Sequence, residues 1–373
     1  MEGPRSARLG ERDEVIDFVN DAFLVGGGGG GGRRSMEREF PLLLGEGNVE
    51  NVVLMKEDGR VVSCAAFLVR ELATGAGVLR LGAVGPAATR REFRRRGFAR
   101  AILGRCHEMM RRRGVDVAIR QADRPDIYLS LGYERVGMMK EFTVTSDLLP
   151  QPGAGCEIEE IKDLSEGEIE ILRDLHGQDF LGTLRSEEDS ALLYGQRSVT
   201  ALVARREGRA VASAVLNETP ALEGELAEYA GEGEACAQLA AHAIARTGEE
   251  SLRICAPAKG TRLAAALSSM GIHARIKPGC ALAKIIDTRD LFKRLAPHLK
   301  SVSPGHWVVD ADDSGFIVET PAGEVRIADE KVLAKLIFGA DSPSVLLPEE
   351  PEMACFLGEF FPVDFFIWPL DRV

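Results

Sequence analysis

Apolar residues at every second position alternate along this chain with stretches where they recur every three to four, the pattern of strands interleaved with amphipathic helices. Val53 to Ala65 reads as a β-hairpin. Two β-prone runs flank the turn Glu57-Asp58-Gly59, where glycine accommodates the positive φ of a tight hairpin. The design returns 149 residues later, where Leu202 to Ala214 repeats the Glu-Gly turn at Glu207-Gly208, the Gly-Arg exit and the small residues of the second strand. Repetition at this spacing implies a duplicated α/β unit.

The order of elements downstream agrees in both copies. The first continues with a strand over 78–84, a helix over 98–112, a strand over 115–119 and a short helix over 125–131, ending at Gly132-Tyr133. The second continues with a strand over 225–229, a helix over 235–246, a strand over 252–255 and a helix over 261–270, ending at Gly271-Ile272. In the helix over 98–112, Phe98, Ile102, Cys106 and Met109 share one apolar face, which should pack on the sheet. From about Asp287 the pattern changes to a helix over 290–299, strands near 307–310, 315–319 and 324–327, and a helix over 329–338 ending at Gly339. A Pro-rich loop and an apolar last strand over 364–370 follow. Near the start, a helix over 14–23 precedes seven consecutive glycines, Gly26 to Gly32, and a further helical piece near Met36. Glycine loses much backbone freedom on ordering, so this run is expected to be a disordered loop, either a neutral insertion or a mobile lid over a cleft.

With 373 residues, 45% of them hydrophobic, the chain has room for two or three domains with proper cores. The pattern divides it at 1–150, 151–286 and 287–373. Neither a membrane-spanning apolar run nor a signal-peptide core at Met1 to Arg5 is visible, so a soluble cytoplasmic protein is expected, with no membrane partner. Seven scattered cysteines without ligand spacing read as reduced core thiols rather than a metal site. The net charge of −12 is uneven: residues 1–150 hold 24 Lys and Arg against 21 Asp and Glu, and the remainder 22 against 37. That acidity argues against a nucleic-acid partner and suits a small cationic amine.

The candidate chemistry gathers at Arg94-Arg95-Arg96-Gly97-Phe98-Ala99, between an apolar strand and the helix over 98–112. Backbone N–H groups and the helix dipole converge there, an arrangement that holds a pyrophosphate, and arginine side chains add opposite charge. The second copy has Gly231-Glu232-Gly233-Glu234 instead, with carboxylates that repel phosphate.

The segment Ala88 to Ala99, the helix after it and Asp126-Ile127-Tyr128-Leu129-Ser130-Leu131-Gly132-Tyr133 together resemble GCN5-related N-acetyltransferases over about residues 45–140. The whole chain is similar to the enhanced intracellular survival type of that superfamily. The resemblance implies an α/β (α+β) fold: tandem GNAT-like acyl-CoA N-acyltransferase domains, mixed sheets flanked by helices, and a C-terminal sterol-carrier-protein-like α+β domain. By it, residues 1–150 form the catalytic domain, 151–286 a degenerate copy and 287–373 the last domain. It implies acetyl-CoA as co-substrate, held at its pyrophosphate by Arg94, Arg95, Arg96, Gly97, Phe98 and Ala99. The strand end around Val84, Ala87 and Ala88 would pair with the pantetheine arm, and Gly85-Pro86 would interrupt the ladder and open an acyl slot.

Tyr128 matches the family's general acid. A phenol near pKa 10 keeps its proton until a departing thiolate needs it. The plainer reading is a packed ring whose hydroxyl meets water; within the resemblance, catalysis is favoured. Tyr133 is read as core, and a count back from Gly271 puts Leu267 where the second copy would need its tyrosine. In the enhanced intracellular survival group the terminal carboxylate serves as base, which would fall on Val373, although that group usually ends on an aromatic residue. The implied reaction is direct attack of a primary amine on acetyl-CoA. Cys106 and His107 are then packing and surface residues rather than nucleophile and base. The alternative is a non-catalytic acetyl-CoA sensor or an apolar-ligand binder using the last domain; a protein-lysine acetyltransferase is a third reading. Homo-oligomerisation is implied by the resemblance alone.

Overall fold

The computed structural model describes the chain except residues 25–34, 122–124, 154, 179–180, 220–221, 313–314 and 373, and the side chain at 280. The glycine run and Val373 therefore lie outside the described residues. Both hairpins form where the repeat places them, as Val52–Glu57 with Arg60–Thr74 and Val199–Arg206 with Arg209–Asn217. Their turns are alike in backbone as well as sequence: Asp58 and Gly59 have φ of 50° and 76°, and Glu207 and Gly208 have 52° and 76°. Two successive positive φ values fit the right-handed twist of the flanking strands, which explains why the glycine recurs.

Around these hairpins the architecture is mixed α/β, as expected, but the two copies are not separate sheets. Nine described strands form one sheet in the order Glu2–Ser6, Val52–Glu57, Arg60–Thr74, Gly77–Thr89, Val117–Gln121, Arg275–Ile285, Glu134–Val144, Leu252–Pro257, with Gly182–Leu184 joined to Arg60–Thr74. Strand Arg275–Ile285 comes from the second copy's part of the chain yet lies between two strands of the first, antiparallel to both. A four-stranded sheet carries the second hairpin, and a three-stranded antiparallel sheet, Val308–Asp312, Gly315–Thr320 and Gly323–Ile327, belongs to the C-terminal segment.

That segment packs on one face of the large sheet. Leu72, Leu79, Leu81, Val117 and Ile119 share a buried cluster with Leu291, Leu295, Trp307, Phe338 and Phe361. Asp116, fully buried, accepts the backbone N–H of Arg80 at 2.6 Å and pairs with Arg294 at 2.8 Å, so the contact is also tied by charge. On the opposite face lies helix Phe98–Arg112, whose Phe98, Ile102, Cys106 and Met109 are buried as their spacing requires.

The final stretch differs from expectation. Residues 364–370 form no strand; a 3₁₀ turn, Pro369–Asp371, ends the stretch. Successive side chains enter different cores: Phe365 the first, Phe366 and Trp368 a second, Leu370 a third. The positions from Phe365 to Leu370 are all apolar because neighbours stand on several sides, which mimics a buried strand in sequence. The Pro-rich loop before it likewise contains two short helices, Pro343–Leu346 and Pro351–Leu357, each opened by a proline in its first turn.

Candidate active site

Strand Gly77–Thr89 supplies the first wall. It pairs in parallel with Val117–Gln121 only over Leu81 to Ala83, and beyond Ala83 no further pairing between the two is described. On the other side its register with Arg60–Thr74 jumps from Ala87 opposite Ala65 to Gly85 opposite Ala66. Pro86, which has no N–H to give, is the extra residue of this bulge. A gap therefore opens at Val84, next to Gly85-Pro86, where the sequence had put the departure from a regular ladder.

Helix Phe98–Arg112 supplies the second element. Gly97, at φ 82°, caps it in the left-handed region with no side-chain cap, and Arg95 also has a positive φ of 62°. The first helical bond runs from the Ala101 N–H to the Gly97 carbonyl, so the amides of Phe98, Ala99 and Arg100 precede the bonded ladder. A Cβ built on Gly97 would meet nothing within 4 Å. Arg94 to Gly97 are exposed, Phe98 is buried and Ala99 half-buried. Arg96 lies over the rings of Phe93 and Phe98 at 5.1 Å each, and Arg94 donates to the Thr89 carbonyl at 3.1 Å. The residues expected to hold a pyrophosphate are thus gathered at one exposed, positively charged helix start, and the aromatic faces keep the Arg96 side chain close to it.

Helix Asp126–Leu129 carries Tyr128 against the same cluster, with Val84 and Phe98. The ring is buried, its edge meets Tyr133 at 5.6 Å between centroids, and Arg100 of the first helical turn reaches Ser130 at 3.4 Å. None of the hydrogen bonds among the described residues uses the Tyr128 hydroxyl. Arg120, unremarked in the sequence, lies over the Tyr128 ring at 5.6 Å and donates to the Val84 carbonyl at 2.9 Å. Its position at the end of a strand next to the gap was readable; its partners were not. Ala87 and Ala88 continue the strand wall, and the Ala88 carbonyl accepts from Ser63 Oγ at 3.0 Å.

Cys106 is core, its thiol pushed up to about 12 by burial, so it does not supply a thiolate at neutral pH. His107 departs from expectation: it is buried rather than on the surface. Its Nε2 stands 2.9 Å from the Tyr133 hydroxyl, a partner that makes an interior imidazole tolerable, and burial lowers its pKa to about 4. Tyr133 is core, as expected.

A second cluster of charges lies beneath the last turn of the chain. Arg185 donates to Asp371 at 2.7 and 3.0 Å, to Glu228 at 2.5 Å and to Tyr194 at 2.9 Å, and Tyr194 donates to Glu228 at 2.6 Å. His176, Glu228 and Asp371 bring ligand atoms within 4.8 Å of one another, but the Arg185 guanidinium already bridges the two carboxylates as a cation would. The Arg185 and His176 charges hold the Glu228 carboxyl well below its usual range despite complete burial. This cluster fastens the tail at Asp371, and Arg372 adds a pair to Glu225 at 3.1 Å.

The second junction is built differently. Helix Gly233–Thr247 begins behind Glu232, which pairs with Arg206 at 2.8 Å, and a Cβ on Gly233 would lie 2.3 Å from the Arg262 carbonyl oxygen. Leu267 is fully buried.

Residues 4–136 match the acetyltransferase (GNAT) domain family. Among solved structures, a conserved protein of unknown function from Enterococcus faecalis V583, described as a probable N-acyltransferase, aligns over 97% of both chains at 16% identity with a TM-score of 0.71. A GCN5-related N-acetyltransferase from Kribbella flavida aligns over 99% of both at 14% identity and 0.65, and Eis1 from Mycobacterium abscessus over 92% of both at 12% and 0.59. At these identities the likeness shows that the fold is shared along nearly the whole chain. No curated protein sequence matches.

Proposed function

We propose that this protein is an acyltransferase that moves an acetyl group from acetyl-CoA to the primary amine of a small, cationic substrate. The observation that carries this reading is the open start of helix Phe98–Arg112, uncapped and left-handed at Gly97, beside the gap at Val84 and the Tyr128 phenol. The match of residues 4–136 to the GNAT domain family supports it independently. In this reading the amides after Gly97 and the side chains of Arg94, Arg95 and Arg96 hold the pyrophosphate. The arm runs along Val84, Ala87 and Ala88, and an unpaired strand N–H polarises the thioester carbonyl.

The amine nitrogen attacks that carbonyl directly; the C–N bond forms, the C–S bond breaks with its electron pair passing to sulfur, and Tyr128 gives sulfur its proton. The buried thiol at Cys106 leaves the protein no need of a covalent stage there. The acidic remainder of the chain, 22 basic residues against 37 acidic, favours a cationic acceptor. A terminal carboxylate as base rests on the resemblance alone, and the sterol-carrier-like segment serves here as a packing layer. The space between that layer and the large sheet, lined by Leu72, Leu81, Phe338 and Phe365, is about 10 Å³, which gives no support to an apolar ligand there. Amine-dependent release of CoA thiol tests the reading. Tyr128→Phe should slow turnover at least tenfold while leaving acetyl-CoA affinity unchanged; unaltered turnover would remove Tyr128 from the mechanism.

A further inference from the structure

We propose that Arg120 is the positioning residue of this site, a single guanidinium that fixes the acid Tyr128 against the wall of the acyl slot. The inference rests on the acyltransferase reading above. Its basis is a set of contacts that converge from two elements. Nη1 donates to the carbonyl of Val84, the residue at which strand Gly77–Thr89 loses its neighbour, and the guanidinium carbon stands over the Tyr128 ring. One rigid planar group therefore ties the slot's backbone to the face of the phenol.

A lysine could meet one of these demands but not both, because its point charge has neither the plane to stack nor the fork to reach a second partner. The remaining neighbours of the phenol leave the role open for Arg120. Tyr133 makes a T-shaped contact with the ring and is itself engaged with His107; Arg100 reaches Ser130; and Cys106 is buried in the same cluster. Among the described residues, none of these has a contact with both the Tyr128 ring and the Val84 backbone.

A further detail sets this arginine apart from an ordinary structural one. Its Nε is buried with no hydrogen-bond partner among the described residues. A buried donor of this kind costs stability unless an acceptor arrives. The described contacts that orient the guanidinium are therefore the Val84 carbonyl and the Tyr128 ring alone. Orientation of the phenol then matters at one moment, when the C–S bond breaks and the thiolate needs the proton; the phenolate regains a proton from the one the attacking amine sheds.

The test is a double-mutant cycle on the full chain with acetyl-CoA and a panel of amines. Arg120→Met should lower kcat at least tenfold with the KM for acetyl-CoA changed less than threefold, and Arg120→Lys should recover only part of the loss. In the Tyr128→Phe background, Arg120→Met should change kcat less than twofold, since nothing remains to be positioned. Equal effects of Arg120→Met in both backgrounds, or a loss confined to KM and thermal stability, would overturn the inference and leave a structural arginine. Should Arg120→Met not fold, Arg120→Gln and Arg120→Lys carry the same cycle. Wild-type protein that binds acetyl-CoA but releases no thiol with any amine would instead sink the acyltransferase reading, and this inference with it; a wild type that turns over while the cycle proves additive sinks this inference alone.

Discussion

Two strand-turn-helix junctions, one in each copy of the repeat, start from the same plan and end in opposite states. Both lead into helices of fifteen residues, Phe98–Arg112 and Gly233–Thr247, so the helix dipole behind each is comparable. At the first, three arginines stand around a glycine whose missing Cβ faces open space; at the second, glutamates stand around a glycine pressed on the Arg262 backbone of helix Arg262–Ser269. The second copy's helix start is thus consumed by packing, and the first copy's is left uncovered. A helix N-terminus can bind an anion only where the tertiary structure leaves it uncovered.

The largest expected effect breaks the second copy and spares the first. Arg185→Met removes the guanidinium that bridges Glu228 and Asp371, leaving them His176 at 3.3 Å and Arg70 at 3.5 Å, and should lower the unfolding free energy by about 3–5 kcal/mol, read from urea denaturation. Folded Arg185→Met protein should bind acetyl-CoA as wild type does; weakened binding would mean that the two copies are not divided in this way.

Next in size is a pair of glycine substitutions. Gly233→Ala drives a methyl into the Arg262 carbonyl and should cost about 1–3 kcal/mol of stability, with acetyl-CoA affinity kept. Gly97→Val has room for its side chain and should cost about 1–2 kcal/mol for its left-handed φ, yet weaken acetyl-CoA binding at least tenfold by calorimetry. If the two variants exchange these outcomes, the contrast between junctions is wrong.

A smaller effect is set by pH. His107 is buried on the first helix with its pKa lowered to about 4 from an ordinary 6.5, chiefly by burial. The group contributes its full stability above pH 6.5 and loses it as pH falls through 6.5 toward 4, because the unfolded chain takes up the proton first. The loss is of the order of 3 kcal/mol at most. Melting temperature followed from pH 7 to 4 should fall more steeply for wild type than for His107→Gln; parallel curves would show that His107 is not the titrating group.

Much of the first junction could be read locally. The helix over 98–112 begins and ends where its periodicity said, since its apolar face, its glycine cap and its arginines lie within fifteen residues of one another. The bulge at Pro86 was legible for the same reason: a residue with no N–H breaks a ladder wherever it stands. His107 was misjudged because its partner, the Tyr133 hydroxyl, is 26 residues away and no local pattern announces it. The tail over 364–370 was misjudged because the apolar run that follows Asp364 is the common signature of a buried strand and of a chain threaded between several cores.

By itself, then, the sequence determined the turns, the repeat, the apolar faces and the arginine-glycine turn before the helix, all set by φ preferences and periodicities of the local chain. Tertiary structure alone decided that strand Arg275–Ile285 lies within the first copy's sheet, that Arg120 joins Val84 to Tyr128, and that Arg185 anchors Asp371 from 186 positions away. Those arrangements depend on which surfaces meet after the elements form, and complementary partners distant in the chain leave no mark in the spacing of either segment.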